Sequence, residues 1–176
     1  MHSKVLILAL LVVLMVAAQG RKTAGYAYEQ VNFSEAEPIQ HPVPLPPAVL
    51  KALLRRAEVK GNLGQTTNEE RNNPAQMFQA AEVHLHNPDE VDLVVEGNGA
   101  MSGADNSWFW VVLSSRKDPQ VVLFAGGNSL ELMATKTEGY RDIRSNWASA
   151  GQASTSIYKF DGRKYRLRKE KWRENR

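Results

Sequence analysis

The sequence predicts a mainly β fold: antiparallel meanders from two pseudo-repeats, forming a sandwich or a twisted sheet, with a short N-terminal helix and a signal peptide ahead of it. Three observations carry this. From Gln79 onward, short runs rich in Val, Ile, Leu and aromatics are separated by Gly, Pro, Asn and Asp clusters, the texture of strands and turns. Helical spacing of apolar residues is sustained only once, before Gly61. Two stretches repeat one order of turn, strand, loop, strand, turn and strand, with Asp92 and Asp142 fifty residues apart.

The elements follow in order. Lys4 leads an apolar run from Val5 to Ala18, with small residues at Ala17, Ala18 and Gly20. A positive start, an apolar middle and a small-residue end read as a Sec-type signal peptide over residues 1–20, so the expected location is secreted or periplasmic. The run is shorter than the roughly 20 residues a membrane span needs. Residues 21–46 form an irregular arm, stiffened by prolines 42, 44 and 46. Residues 47–168 are read as one β-rich domain, opened by a helix over 47–60. Prolines suit that helix's first turn, and Val49, Leu50, Leu53, Leu54 and Ala57 share a face. Gly61 is the expected stop, and the polar stretch to Pro74 reads as a loop.

Strands are expected around Val83–Leu85, Asp92–Val95, Trp108–Leu113, Val121–Phe124, Leu130–Thr135, Asp142–Ser145, Ser156–Phe160 and Tyr165–Leu167. Trp108–Leu113 is apolar on both faces and suits a central, doubly covered strand. Asp161-Gly162 reads as a two-residue type I′ turn, which pairs Phe160 with Arg163 and Tyr158 with Tyr165. That register places Phe160, Tyr158, Tyr165 and Leu167 on one face.

The chain contains no cysteine, which excludes disulfides, thiol catalysis and zinc–thiolate sites. About 155 mature residues suffice for one unstapled hydrophobic core. Charge is uneven. From Lys159 onward there are nine basic residues and three acids, against a net charge of +3 for the whole chain. Residues 169–176 are read as a basic tail, either a solvated end or a contact for an anionic surface. Nucleic acid is not expected as a partner.

The matched stretches compare Trp108–Val112 with Ser156–Phe160, and the acidic turn His86–Val95 with Thr137–Ile143. Here the chain resembles the FG-GAP and VCBS-type β-propeller blade repeats over about residues 83–167. In those repeats an acidic D-x-D-G-x-x-D turn precedes a Leu-Val-rich strand. The resemblance implies calcium as the cofactor to test, held by Asp89, Glu90 and Asp92. Two repeats are too few to close a propeller.

Several residues carry candidate chemistry. Ser102, Asp105 and Asn106 lie in a small polar loop suited to recognition, framed by Trp108. Tyr140, Arg141 and Asp142 form the second turn, and Trp147 adds an aromatic surface. His84 and His86, two apart, point the same way on a strand and give two metal nitrogens. Ser102 lacks a nucleophile-elbow context. The expected function is therefore an exported, non-catalytic binding or interaction protein, inhibitor-like or envelope-associated, with a protein or glycan partner. The alternative is a metal-assisted hydrolase using His84 and His86 with Asp89.

Overall fold

The computed structural model describes residues 29–174 apart from Glu35, Ala104, Asp105, Arg116 and Lys117. The signal segment and residues 21–28 lie outside the described residues. The chain forms nine strands among the described residues: β1 (Asn32–Ser34), β2 (Phe78–Val83), β3 (Asp92–Gly97), β4 (Ser107–Leu113), β5 (Gln120–Gly127), β6 (Ser129–Thr137), β7 (Tyr140–Ala148), β8 (Gln152–Phe160) and β9 (Tyr165–Glu174). They build two antiparallel sheets, ordered β2-β3-β4-β5 and β1-β6-β7-β8-β9. The fold is mainly β, as the alternation of the sequence predicts.

Each half is a four-stranded meander of the same order, and the strand register refines the repeat. In the first, Ala81, Val94, Val111 and Leu123 lie side by side across the four strands. In the second, the corresponding row is Glu131, Arg144, Ile157 and Lys169. A register shift follows at the same place in both, between Val111 and Val112 and between Ile157 and Tyr158. Val111 therefore answers to Ile157, a two-residue correction to the sequence match. Side chains alternate with period two, so a slip of two leaves every face unchanged and the sequence pattern cannot detect it.

The meanders stack head to tail. The face of the first bearing Ala81, Val94, Val111 and Leu123 packs on the opposite face of the second, bearing Leu130, Leu132, Ile143 and Phe160. The other face of the first is covered by two helices, α1 (Pro47–Leu54) and α2 (Ala57–Asn62). Their Val49, Leu53 and Val59 pack with Leu93, Val95, Trp110 and Val112. This explains why β3 is buried along its whole length and why β4 reads as apolar on both faces. The corresponding outer face of the second meander has no such cover among the described residues.

Four sequence expectations are corrected. The helix over 47–60 breaks at Arg56, whose backbone is extended (ψ 143°), and Gly61 lies inside α2 rather than ending a single helix. The loop to Pro74 holds a third helix, α3 (Asn68–Asn72), closed by a reciprocal capping box between Thr67 and Glu70. The described part of the arm is tied down: β1 pairs with β6, and Val43 bridges Ala80 on the edge of β2. The basic stretch from Lys169 to Glu174 belongs to β9, where its residues pair with those of β8.

The Asp161 turn also differs. Phe160 pairs with Tyr165 and Tyr158 with Leu167, so the loop holds four residues. The Asp161 carboxylate accepts the amides of Arg163 and Lys164 and the Arg166 Nε, which holds its carboxyl well below the usual range. This anchored loop outcompetes the two-residue turn, and the shift by two again preserves the shared face.

The chain passes between sheets at Asn128, and Gly127 lies against the second meander there. A Cβ on Gly127 would sit 2.6 Å from the Asn146 carbonyl oxygen. Gly127→Ala is expected to lower stability by about 1–3 kcal/mol through overpacking. Gly151, with nothing within 4 Å of such a Cβ, should tolerate Ala within about 0.5 kcal/mol. Urea denaturation of the two variants checks the contrast.

Candidate functional site

Strand β3 presents Asp92, Val94 and Glu96 toward the second meander, so the apolar contact at Val94 is flanked by a buried acid at each end. The two ends of this interface carry different polar clusters.

At the Glu96 end lies a polar cavity of about 300 Å³. Its lining includes Gln79, Glu96, Asn98, Ser102, Asn106 and Ser107. Glu96 and Ser107 are buried, and the Asn106 side-chain carbonyl is buried without a hydrogen-bond partner. Ser102, Asn106 and Ser107 thus rim a cavity, which places two of the sequence candidates, Ser102 and Asn106, together. Asp105 lies outside the described residues. Trp108 is not part of this wall. It points to the helix side and packs edge-on against Trp110 and Phe124, because strand alternation sends it opposite to Ser107 and Phe109.

The cavity floor is braced from outside. Gly99 has a φ of +54°, and a side chain there would run into the Glu70 carboxylate. Glu70 accepts the amides of Thr67 (2.7 Å) and Ala100 (3.3 Å), which hold its carboxyl below the usual range. One residue thereby caps α3 and fixes the turn at Gly99–Met101. Glu70 was overlooked in the sequence reading, although the Thr67-x-x-Glu70 spacing is the signal of a capping box.

At the Asp92 end the groups interlock. His86 stacks on Tyr140 at 4.4 Å, and Tyr140 stacks on Phe160 at 4.1 Å. The His86 ring lies 3.3 Å from Glu90 and 3.7 Å from Asp92. Glu29 contacts both His84 (3.7 Å) and Arg141 (3.2 Å). Arg141 also donates to the carbonyls of Met133 and Leu132 and is a structural clamp. Tyr140 and Arg141 therefore knit the meanders together here, away from the Ser102 loop.

The paired aspartates have different surroundings. Asp142 is buried, but its carboxylate accepts the hydroxyls of Thr135 (2.8 Å) and Thr137 (2.7 Å) and lies 3.6 Å from the Lys159 amine. Asp92 is fully buried, and no side chain hydrogen-bonds its oxygens as the threonines do those of Asp142. Burial raises its carboxyl above the usual range, partly offset by the His86 ring and the Ser114 and Leu85 amides.

The calcium candidates Asp89, Glu90 and Asp92 lie in different surroundings. Asp89 is exposed, Glu90 bonds the Ser115 hydroxyl, and Asp92 is sealed in the interface. Among the described residues no group of three His, Asp or Glu is disposed to hold a metal ion, and His84 and His86 gain no third ligand. Trp147 is half-buried and packs edge-on against the exposed Trp172 at 5.8 Å. The chain matches no protein-family model, no curated protein and no solved structure.

The two aspartates should respond oppositely to amide substitution. Asp142→Asn weakens a charge-assisted network and is expected to cost about 2 kcal/mol. For Asp92 the folded carboxyl titrates above its unfolded value of about 3.9. Its contribution is fully present below that pH and is lost as pH rises through the raised folded value. Asp92→Asn should therefore gain on the parent protein as pH rises from about 4. Urea midpoints at pH 4 and pH 7 test this, and a gap that does not move with pH contradicts it.

Proposed function

We propose that the chain is an exported, non-catalytic binding protein that seats a polar group of a protein or glycan partner in the Glu96 cavity. One observation carries this reading: polar side chains from β2, β3 and the 102–107 loop converge on one cavity, and the Asn106 carbonyl there is unpaired. An unpaired buried acceptor costs stability. A ligand donor would satisfy it, so binding gains what folding forgoes. The head-to-tail stacking of like meanders supports reading them as two degenerate blade repeats of the FG-GAP and VCBS type. On such scaffolds recognition belongs to loops held by rigid strands.

The test is amide NMR of the labelled mature chain, titrated with a panel of oligosaccharides and short peptides. Shifts are expected to cluster at Glu96–Ser107. Asn106→Ala should weaken the bound ligand about tenfold without lowering the melting temperature, since its acceptor supports no internal bond. Shifts confined to other regions, or none across the panel, would count against the reading.

A further inference from the structure

The open face of the second meander is the counterpart of the face by which the first meander packs. The row Ala81, Val94, Val111 and Leu123 becomes Glu131, Arg144, Ile157 and Lys169. The adjoining row Gln79, Glu96, Phe109 and Ala125 becomes Ser129, Asn146, Thr155 and Lys171. An apolar stacking surface has been rewritten as a cationic and hydroxyl-bearing one. A shallow groove of about 460 Å³ crosses β6 to β9 on this face, lined by Met133, Arg144, Asn146, Thr155, Ile157, Lys169 and Lys171.

Arg144 pairs with Glu131 at 2.7 Å. Lys169 and Lys171 make no ion pair with any described residue. They stand two apart on one face of the edge strand, and Arg173 continues the row. The groove floor joins a Thr155–Asn146 hydrogen bond to the half-buried side chains of Ile157 and Met133.

We infer that this groove binds an acidic polysaccharide. The cations at the rim fit its carboxylates. The Thr and Asn floor fits sugar hydroxyls, and Ile157 and Met133 fit the apolar face of a sugar ring. Among the described residues the face offers no aromatic platform for stacking bases, as single-stranded nucleic acid sites do. It is concave and lacks a protruding apolar anchor, so it does not fit a flat bilayer. A second copy of the same face would be repelled by like charge.

The probe is a set of short polygalacturonate oligomers, titrated calorimetrically onto the mature protein at low and at physiological salt. Saturable, salt-weakened binding is expected. Lys169→Gln with Lys171→Gln should reduce affinity about tenfold or more, and Lys171→Gln alone by a smaller amount. Arg163→Gln removes the same charge from the exposed β8–β9 loop and should change affinity less than about twofold. Circular dichroism of all variants should match the parent, and the single variant keeps the test alive if the double fails to fold. The inference is overturned if the oligomers do not bind, if Arg163→Gln costs as much as the lysine pair, or if anionic vesicles or DNA bind at least as tightly. Because the groove and the Glu96 cavity lie on different faces, either reading can fail without the other.

Discussion

The molecule depends on the first meander laying one apolar face onto the second. A single four-stranded sheet hides too little surface to be stable alone. Here Val94, Val111 and Leu123 bury against Leu130, Leu132, Ile143 and Phe160, and Phe33 and Ile39 of the arm close the margin. Because the contact is head to tail, it leaves two unlike outer faces. The first meander's is still apolar and needs α1 and α2 over it, with Trp110 tied to Glu58 by an indole hydrogen bond of 3.0 Å. Burial pushes the Glu58 carboxyl up, but the bonds from Arg56, its own amide and Trp110 outweigh this and leave it lowered. The second meander's outer face is polar enough to meet water.

The same contact decides where function can reside. A strand crossing the interface has an apolar middle and two polar ends, and β3 follows that rule with Asp92, Val94 and Glu96. The Asp92 end is filled: His86, Tyr140 and Phe160 stack through it, and Tyr165, buried with its phenol raised above the usual range, bonds the Arg141 carbonyl at 2.8 Å. The Glu96 end is left hollow: polar side chains line a cavity there, beside the Gly99–Met101 turn that Glu70 braces. A filled end locks the two sheets, and a hollow end has room for a ligand.

Much of this architecture is legible in the sequence, for physical reasons. Alternation fixes which face each strand residue takes, so Val83, Leu85, Phe109 and Phe160 point inward, and Trp110, on a strand apolar on both faces, is buried too. The repeat is visible because each half solves the same packing problem. What escapes is whatever period two cannot record. The Val111–Ile157 equivalence and the Phe160–Tyr165 pairing are both displaced by two residues from the sequence match, and both displacements keep the faces. The extent of β9 escapes because an edge strand exposed on both faces from Arg166 to Glu174 has the composition of a tail. Of the candidate site, Ser102 and Asn106 come together as the loop's polarity suggests. Tyr140 and Arg141 look free in sequence but are consumed by contacts from distant Glu29 and His86, which no local pattern reveals.

A head-to-tail stack has no intrinsic end, since the face that begins it also invites continuation. At the first meander the problem is solved by covering the face with helices. At the second it is solved by substitution, with Arg144, Lys169 and Lys171 replacing Val94, Leu123 and Ala125. Charge alone would suffice to stop propagation, and a flat face of lysines would be the cheapest barrier. The observed face is not of that kind. It keeps Ile157 and Met133 half-buried in a groove, seats Thr155 and Asn146 in a mutual hydrogen bond of 3.0 Å between them, and leaves two neighbouring lysines without an ion pair among the described residues. A barrier needs neither the concavity nor the mixed floor, whereas a binding groove needs both.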